Sequence, residues 1–267
     1  MSTRAIRIAC ILVPNFPIAA LYWVEPALRE VPLALIDSPG PRALIVAVSE
    51  AAARRGVRPG LTATQGSAIC TALALRPMPG AFPHPSGPGP HAPPAGGADY
   101  RRAAQAALCE VATSCSPRIE DPHDETGNGY GLVYLDARGV PFPSEQALGA
   151  ALGARAAHVG LEARVGIAST KTTARLAALT SSGVTVVPPG TDRRFLAPLS
   201  IGILEPDPER AAALIRWGIA RIGELACLSP AAAGQRLGAT GAALVRRARG
   251  EDDSPLVPRP LPLVFEE

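Results

Sequence analysis

Apolar positions in this chain fall into short continuous runs separated by stretches with helical spacing. Residues 6–13 (IRIACILV) are apolar at every position but Arg7, the pattern of a strand covered on both faces. Residues 32–37 and 43–48 are two further strand-like runs, and Ser38-Pro39-Gly40-Pro41 between them reads as a turn. Pro14 and Pro17 open a helix-like stretch that reaches about Arg29. Helices are predicted over residues 50–55, ending at Gly56, and over about 64–72. Residues 79–97 hold twelve Pro or Gly in nineteen positions, so a disordered linker or long insertion is predicted there. Beyond it come a helix over 100–115, a strand over 131–137, a helix over 145–159 and a strand over 163–168. That last strand runs into Ser169-Thr170, good N-cap residues, and a helix opening at Lys171. The interleaving predicts an α/β layer with helices on one face.

The last third reads as helical. Asp207 is placed as an N-cap, Pro208 as the first helical residue, and Ala211, Ala212, Leu214 and Ile215 as an apolar face that stops at Gly218. Gly218-Ile219-Ala220-Arg221-Ile222-Gly223 then turns into a second helix over 224–228. The spacing resembles a helix-hairpin-helix, whose glycines bring backbone N–H groups against a DNA phosphate. A plain packed αα-hairpin has the same outline. A weaker second hairpin is read at Gly238-Ala239-Thr240-Gly241, after a helix opening at Ser229-Pro230.

Composition narrows the classes. The chain has 267 residues and is 47% apolar, enough for one large or two to three small domains with real cores. With no apolar run of about 18 residues and no signal-peptide pattern at the start, a cytoplasmic protein is expected. Cys10, Cys70, Cys109, Cys115 and Cys227 form no Cys-x-x-Cys and read as core filler. His84, His91, His123 and His158 are scattered, so neither a metal site nor a cofactor is expected. Net charge is +3, unevenly spread: residues 164–249 carry twelve basic and five acidic side chains, leaving 14 minus 18, or −4, elsewhere. A basic final third suits a nucleic-acid partner, and equally a solvated arginine-rich surface. Lys171 is the sole lysine among 25 arginines. At a helix start it reads either as a phosphate ligand or as an ordinary exposed residue.

The order of elements, Ala53-Arg54-Arg55-Gly56-Val57-Arg58-Pro59-Gly60, the strand Leu132-Val133-Tyr134-Leu135-Asp136, the run Val165–Lys171 (VGIASTK) and the hairpin together resemble the Y-family (UmuC-like) translesion DNA polymerases. The likeness covers about residues 6–256. Within that superfamily the chain is most similar to the ImuB type, through the Asn15-Phe16-Pro17 opening and the Leu-Asp strand ending. The resemblance implies an α/β palm from 1–18 and 99–188, small fingers from 19–82, a linker at 83–98 and a helical thumb from 189–255 with the helix-hairpin-helix. Residues 256–267 would be a connector to a little finger that this chain lacks.

Active members of that superfamily hold two metal ions on carboxylates from the first strand and from an adjacent Asp-Glu pair. Here the matching positions are Pro14 and Phe16, then Gly131 and Leu132. Glu50 and Ala53 stand where active members place a Tyr and an Arg on the triphosphate. The resemblance therefore implies a non-catalytic protein, not an enzyme, serving mutagenic DNA repair by gripping DNA backbone and recruiting partners. The DNA-contacting residues expected are Lys171, Gly218, Ile219, Arg221, Ile222 and Gly223. Primer-template or damaged DNA, an error-prone C-family polymerase, a RecA-like accessory protein and the sliding clamp are the implied partners, although no clamp motif is visible. Two alternatives stay open: a scaffold without DNA binding, and an active polymerase using Asp124, Glu125 and Asp136.

Overall fold

A computed structural model describes residues 6–40, 42–78, 100–123, 129–252 and 254–259. In chain order the elements are β1 (Ile8–Leu12), α1 (Phe16–Val24), β2 (Leu33–Ile36), β3 (Ile45–Val48), α2 (Glu50–Arg54), α3 (Ala63–Ile69), β4 (Ala74–Pro77), α4 (Tyr100–Thr113), β5 (Ile119–Glu120), β6 (Leu132–Asp136), α5 (Glu145–His158), β7 (Arg164–Ala168), α6 (Lys171–Thr180), β8 (Val184–Val186), α7 (Asp192–Leu196), α8 (Pro208–Arg216), α9 (Ile222–Ala226) and α10 (Pro230–Ala248). Short 3-10 turns cover Pro26–Glu30 and Ile201–Leu204. The protein is mixed α/β.

The principal sheet has the order β5-β6-β1-β7-β8. The apolar run of β1 takes its centre because both faces of a central strand are covered. β1 is antiparallel to β6 (Leu12 opposite Leu132) and to β7 (Ile8 opposite Ala168). Ala9, Ile11, Val133, Leu135, Val165 and Ile167 point to one face, where Leu108 of α4 and Leu148 and Leu152 of α5 cover them. Ile8, Cys10 and Ala168 point to the other face, against Ala174, Ala177 and Ala178 of α6. Helices thus lie on both faces, which corrects the expectation of one. α6 covers only the β1–β7 side of its face and leaves Leu132 and Tyr134 of β6 bordering a groove.

β3-β2-β4 form a second, three-stranded sheet. Its Ala34, Ile36 and Ile45 pack toward α2 and α3, and Leu33, Leu35 and Ala47 toward Ile18 and Leu21 of α1. α7 to α10 form a helical unit around Leu196, Leu214, Ile222, Leu225, Leu244 and Val245, and Leu176 of α6 belongs to this core too. α6 therefore fixes the helical unit against the principal sheet.

Cys10, Cys70, Cys109 and Cys115 are buried, as expected of core filler, but Cys227 is exposed at the end of α9. The linker expected at 79–97, with His84 and His91, lies outside the described residues. Among the described residues no helix is long and apolar enough to cross a membrane.

Candidate functional site

α6 begins where β7 ends because Thr170 caps it, its hydroxyl oxygen accepting from the Thr173 amide at 3.2 Å. The strand and helix touch closely at Gly166: a Cβ there would lie 2.1 Å from the Ala174 carbonyl and 2.5 Å from the Ala178 amide. This approach sets Lys171 on the rim of a groove of about 720 Å³ between the open part of the sheet face and the helical unit. Four cations line the groove: Lys171 and Arg175 from α6, and Arg246 and Arg247 from the last turn of α10.

Two of those cations are already engaged. Lys171 Nζ lies 2.8 and 3.1 Å from the two carboxylate oxygens of Glu120 on the edge strand β5, and both side chains are largely buried. The ammonium also sits 5.7 Å from the centroid of the Tyr134 ring. Lys171 is thus at the helix start as expected, but it is neither free nor an ordinary exposed residue. Arg175 pairs with the more exposed Glu205 at 3.3 Å. Arg246 and Arg247 pair with no carboxylate among the described residues.

At the first helical turn the Thr172 amide and hydroxyl both donate to Asp252 Oδ2, at 3.1 and 2.7 Å. Burial pushes the Asp252 carboxyl up, but hydrogen bonds from Thr172 and Ser254 outweigh it and hold the group below its ordinary range.

The hairpin at 218–223, expected to grip phosphate, has Gly218, Ala220 and Arg221 exposed and Ile219 and Ile222 buried. Gly218 has φ +72° and ends α8, as the turn requires. Ile219 and Ile222 are core residues. Every amide from 218 to 223 already has an internal acceptor. Gly218 and Ile219 donate to Ile215 and Leu214, and Ile222 and Gly223 donate to Leu199 and Ala197. Ala220 and Arg221 both donate to Glu224 Oε2, at 2.7 and 3.0 Å. Arg221, which is exposed, donates from Nη1 to the Pro198 carbonyl at 3.0 Å. A Cβ on Gly223 would meet the Ala197 carbonyl at 3.0 Å, so this glycine serves packing against α7. The second hairpin is a break within α10 at Gly238, φ +73°.

Pro14, Phe16, Gly131 and Leu132, the positions expected from the sequence to match the superfamily's metal ligands, are packed together with their neighbours. Asn15 takes a left-handed conformation (φ 49°) and directs Phe16 back over β6. A Cβ on Gly131, whose φ is +79°, would lie 2.6 Å from Phe16 Cβ and 2.7 Å from its ring. The Phe16 ring stacks on Tyr130 (5.9 Å between centroids) and Tyr130 on His123 (4.9 Å). The buried Gln105 closes the backbone, accepting from the Gly131 amide at 2.8 Å and donating to the Leu132 carbonyl at 3.0 Å. Pro14, Phe16, Gly131 and Leu132 offer no side-chain oxygen, so these four positions do not fit a pair of cations. Among the described residues no three His, Cys, Asp or Glu are grouped to hold a metal. Of the alternative acids, Asp124 and Glu125 lie outside the described residues. Asp136 is held by Arg138 at 2.9 and 2.7 Å and lies 3.5 Å from Arg118. The Arg138 hydrogen bond keeps its carboxyl below the ordinary range.

This packing predicts that Gly131→Ala costs roughly 2 kcal/mol, from strain at positive φ and overpacking together. Phe16→Ala should recover part of that loss in the double variant, read from denaturant unfolding. Purely additive costs would show that the two residues do not press on each other.

Comparison with known proteins places the chain. The model of the impB/mucB/samB family matches residues 11–179, more than half of the 267. The chain belongs to the impB/mucB/samB family. That family is the Y-family, UmuC-like group of damage-bypass polymerase-like proteins. Two similar proteins, each named DNA polymerase IV, come from Halobacterium salinarum strains ATCC 29341 / DSM 671 / R1 and ATCC 700922 / JCM 11081 / NRC-1. Each is 42% identical over 110 residues, 40% of this chain. The match spans 27% of the length of these curated relatives.

Membership in this polymerase family, with relatives named as polymerases, overturns the expectation that the chain is not an enzyme. Side chains missing from four aligned positions were too narrow a basis for that exclusion. Sequence reading missed Glu120, Asp252, Arg246 and Arg247 as groove residues. Only the arginine pair left a signal, as part of the basic final third, since a two-residue edge strand and a carboxylate after the last helix have no pattern.

Proposed function

We propose that this impB/mucB/samB family member serves DNA synthesis past damaged template bases by holding primer-template DNA in the groove between its principal sheet and its helical unit. In this reading the sheet with α4 to α6 is the palm (1–18 and 99–188), the three-stranded unit the fingers (19–82) and the helical unit the thumb (189–255). The observation that carries it is the convergence of Lys171, Arg175, Arg246 and Arg247 on one groove. Cations gathered on one groove can meet backbone phosphates, and such contacts position a duplex without reading its sequence.

In the superfamily, divalent metal ions supply charge neutralisation at the transferring phosphoryl group. Here this chain's own residues bind and orient. The arginines of α10 take the backbone, α6 fixes the height of Lys171 above the sheet, and Leu132 and Tyr134 of β6 line the groove beside it. Affinity to the ImuB type adds an error-prone C-family polymerase, a RecA-like protein and the sliding clamp as partners to test. A labelled primer-template titrated with the chain tests the central part. Micromolar binding that ignores base sequence supports it, and no binding at low salt rejects it. Primer extension on the same complex, with nucleotides and divalent cations, reports whether the held terminus is also extended.

A further inference from the structure

The groove is electrically cancelled as it stands. Among the described residues its four cations face four carboxylates, Glu120, Glu205, Glu251 and Asp252, for a net charge of 4 minus 4, or zero. Two of those carboxylates, Glu251 and Asp252, sit on the segment that leaves α10, and this segment crosses from the helical unit to the principal sheet. It is tied down at three points. Asp252 accepts from the Thr172 amide and hydroxyl at the start of α6. The Val257 amide donates to Glu120 Oε2 at 2.7 Å, the same carboxylate that holds Lys171. The Arg259 amide donates to the Ile119 carbonyl at 2.7 Å, an added contact on the edge strand β5.

We infer that the segment after α10 is a strap that keeps the groove closed to polyanions, and that DNA binding displaces it. The inference rests on the groove being the DNA site. With the strap in place, the Thr172 amide, the Lys171 ammonium and both Glu120 oxygens are all engaged, and the groove carries no net charge. With it lifted, Glu251 and Asp252 leave, the groove becomes 4 minus 2, or +2, and the first turn of α6 is exposed. Glu120 is the pivot, because one side chain holds both the cation and the strap. The two states differ in charge and in hydrogen bonding, so a polyanion has the differential affinity that a population shift requires.

Hydrogen exchange with and without a saturating primer-template, and anisotropy titrations of three variants, test this together. Asp252→Asn is expected to tighten DNA binding about three- to tenfold. Glu251→Gln, an equal charge change on the same segment without a tie to α6, should tighten it less. Glu120→Gln should steepen the salt slope by about 0.9, because the freed Lys171 then meets one more phosphate. In the wild type, DNA should speed exchange at the Val257 and Arg259 amides. Unchanged exchange at those amides in saturated complex, with Asp252→Asn and Glu251→Gln alike in affinity, would overturn the strap while leaving the groove as the DNA site. Failure of the wild type and all three variants to bind would reject both readings. Binding by the variants alone would support the strap in its tightest form.

Discussion

Replacing Gly166 with valine is expected to destabilise the protein by about 3 kcal/mol or more, the upper end of overpacking costs. Gly166 is a strand residue with ordinary negative φ, so conformational freedom is not its reason. It is glycine because α6 lies directly on it: the first atoms a Cβ would meet are the backbone carbonyl of Ala174 and the backbone amide of Ala178. A flexible side chain can swing away, but helix backbone moves only with the whole helix. α6 carries Lys171 and Thr172 toward the groove and Leu176 into the helical core. Its displacement would therefore loosen the joint between sheet and helical unit and weaken DNA binding as well. Urea unfolding measures the cost. Ala177→Gly should not rescue the variant, because the closest contact is backbone at 2.1 Å and the Ala177 methyl lies farther off at 2.9 Å. Full rescue, or a loss below about 1 kcal/mol, would show a looser strand–helix contact than the structure has.

Arg246→Glu with Arg247→Glu is expected to weaken primer-template binding at least tenfold at low salt and to flatten the salt slope by about 2. These two arginines are the groove cations without a carboxylate partner among the described residues, so they meet phosphate without first giving up an ion pair. Lys171 and Arg175 must first release Glu120 and Glu205. Both arginines lie in the last turn of α10, where a cation also favours the helix dipole, so a modest fall in thermal stability should accompany the reversal. Arg29→Glu is the control, because Arg29 sits beside Gly160, away from the groove, and should leave binding unchanged. Equal losses in both variants would mean that overall charge, not the groove, governs affinity.

The sequence was most legible where one residue type forces one backbone state. The apolar runs of β1, β2, β3, β6 and β7 and the capped starts of α2, α5, α6 and α8 lie within a residue or two of expectation. β4, β5, β8 and α7 had no legible signal, being two to five residues long and held by tertiary pairing. The site was harder to read because its residues are distant in sequence. Glu120 reaches Lys171 across 51 positions and Asp252 reaches Thr172 across 80. The hairpin was legible in outline but not in its contacts. Its glycine spacing was read correctly as a turn, but Glu224 three residues beyond Arg221 accepts from the Ala220 and Arg221 amides, a contact the glycine pattern did not signal. The four positions without carboxylates were read correctly as residues, yet family membership shows that more cannot be concluded from them about activity.

Fluorescence anisotropy of a labelled primer-template across a salt series tests the central claim most directly. Binding with a log–log slope between about −2 and −4, equal for unrelated sequences, is the result predicted for two to four phosphate contacts in the groove. Binding that ignores salt, or none at the lowest salt, would contradict it.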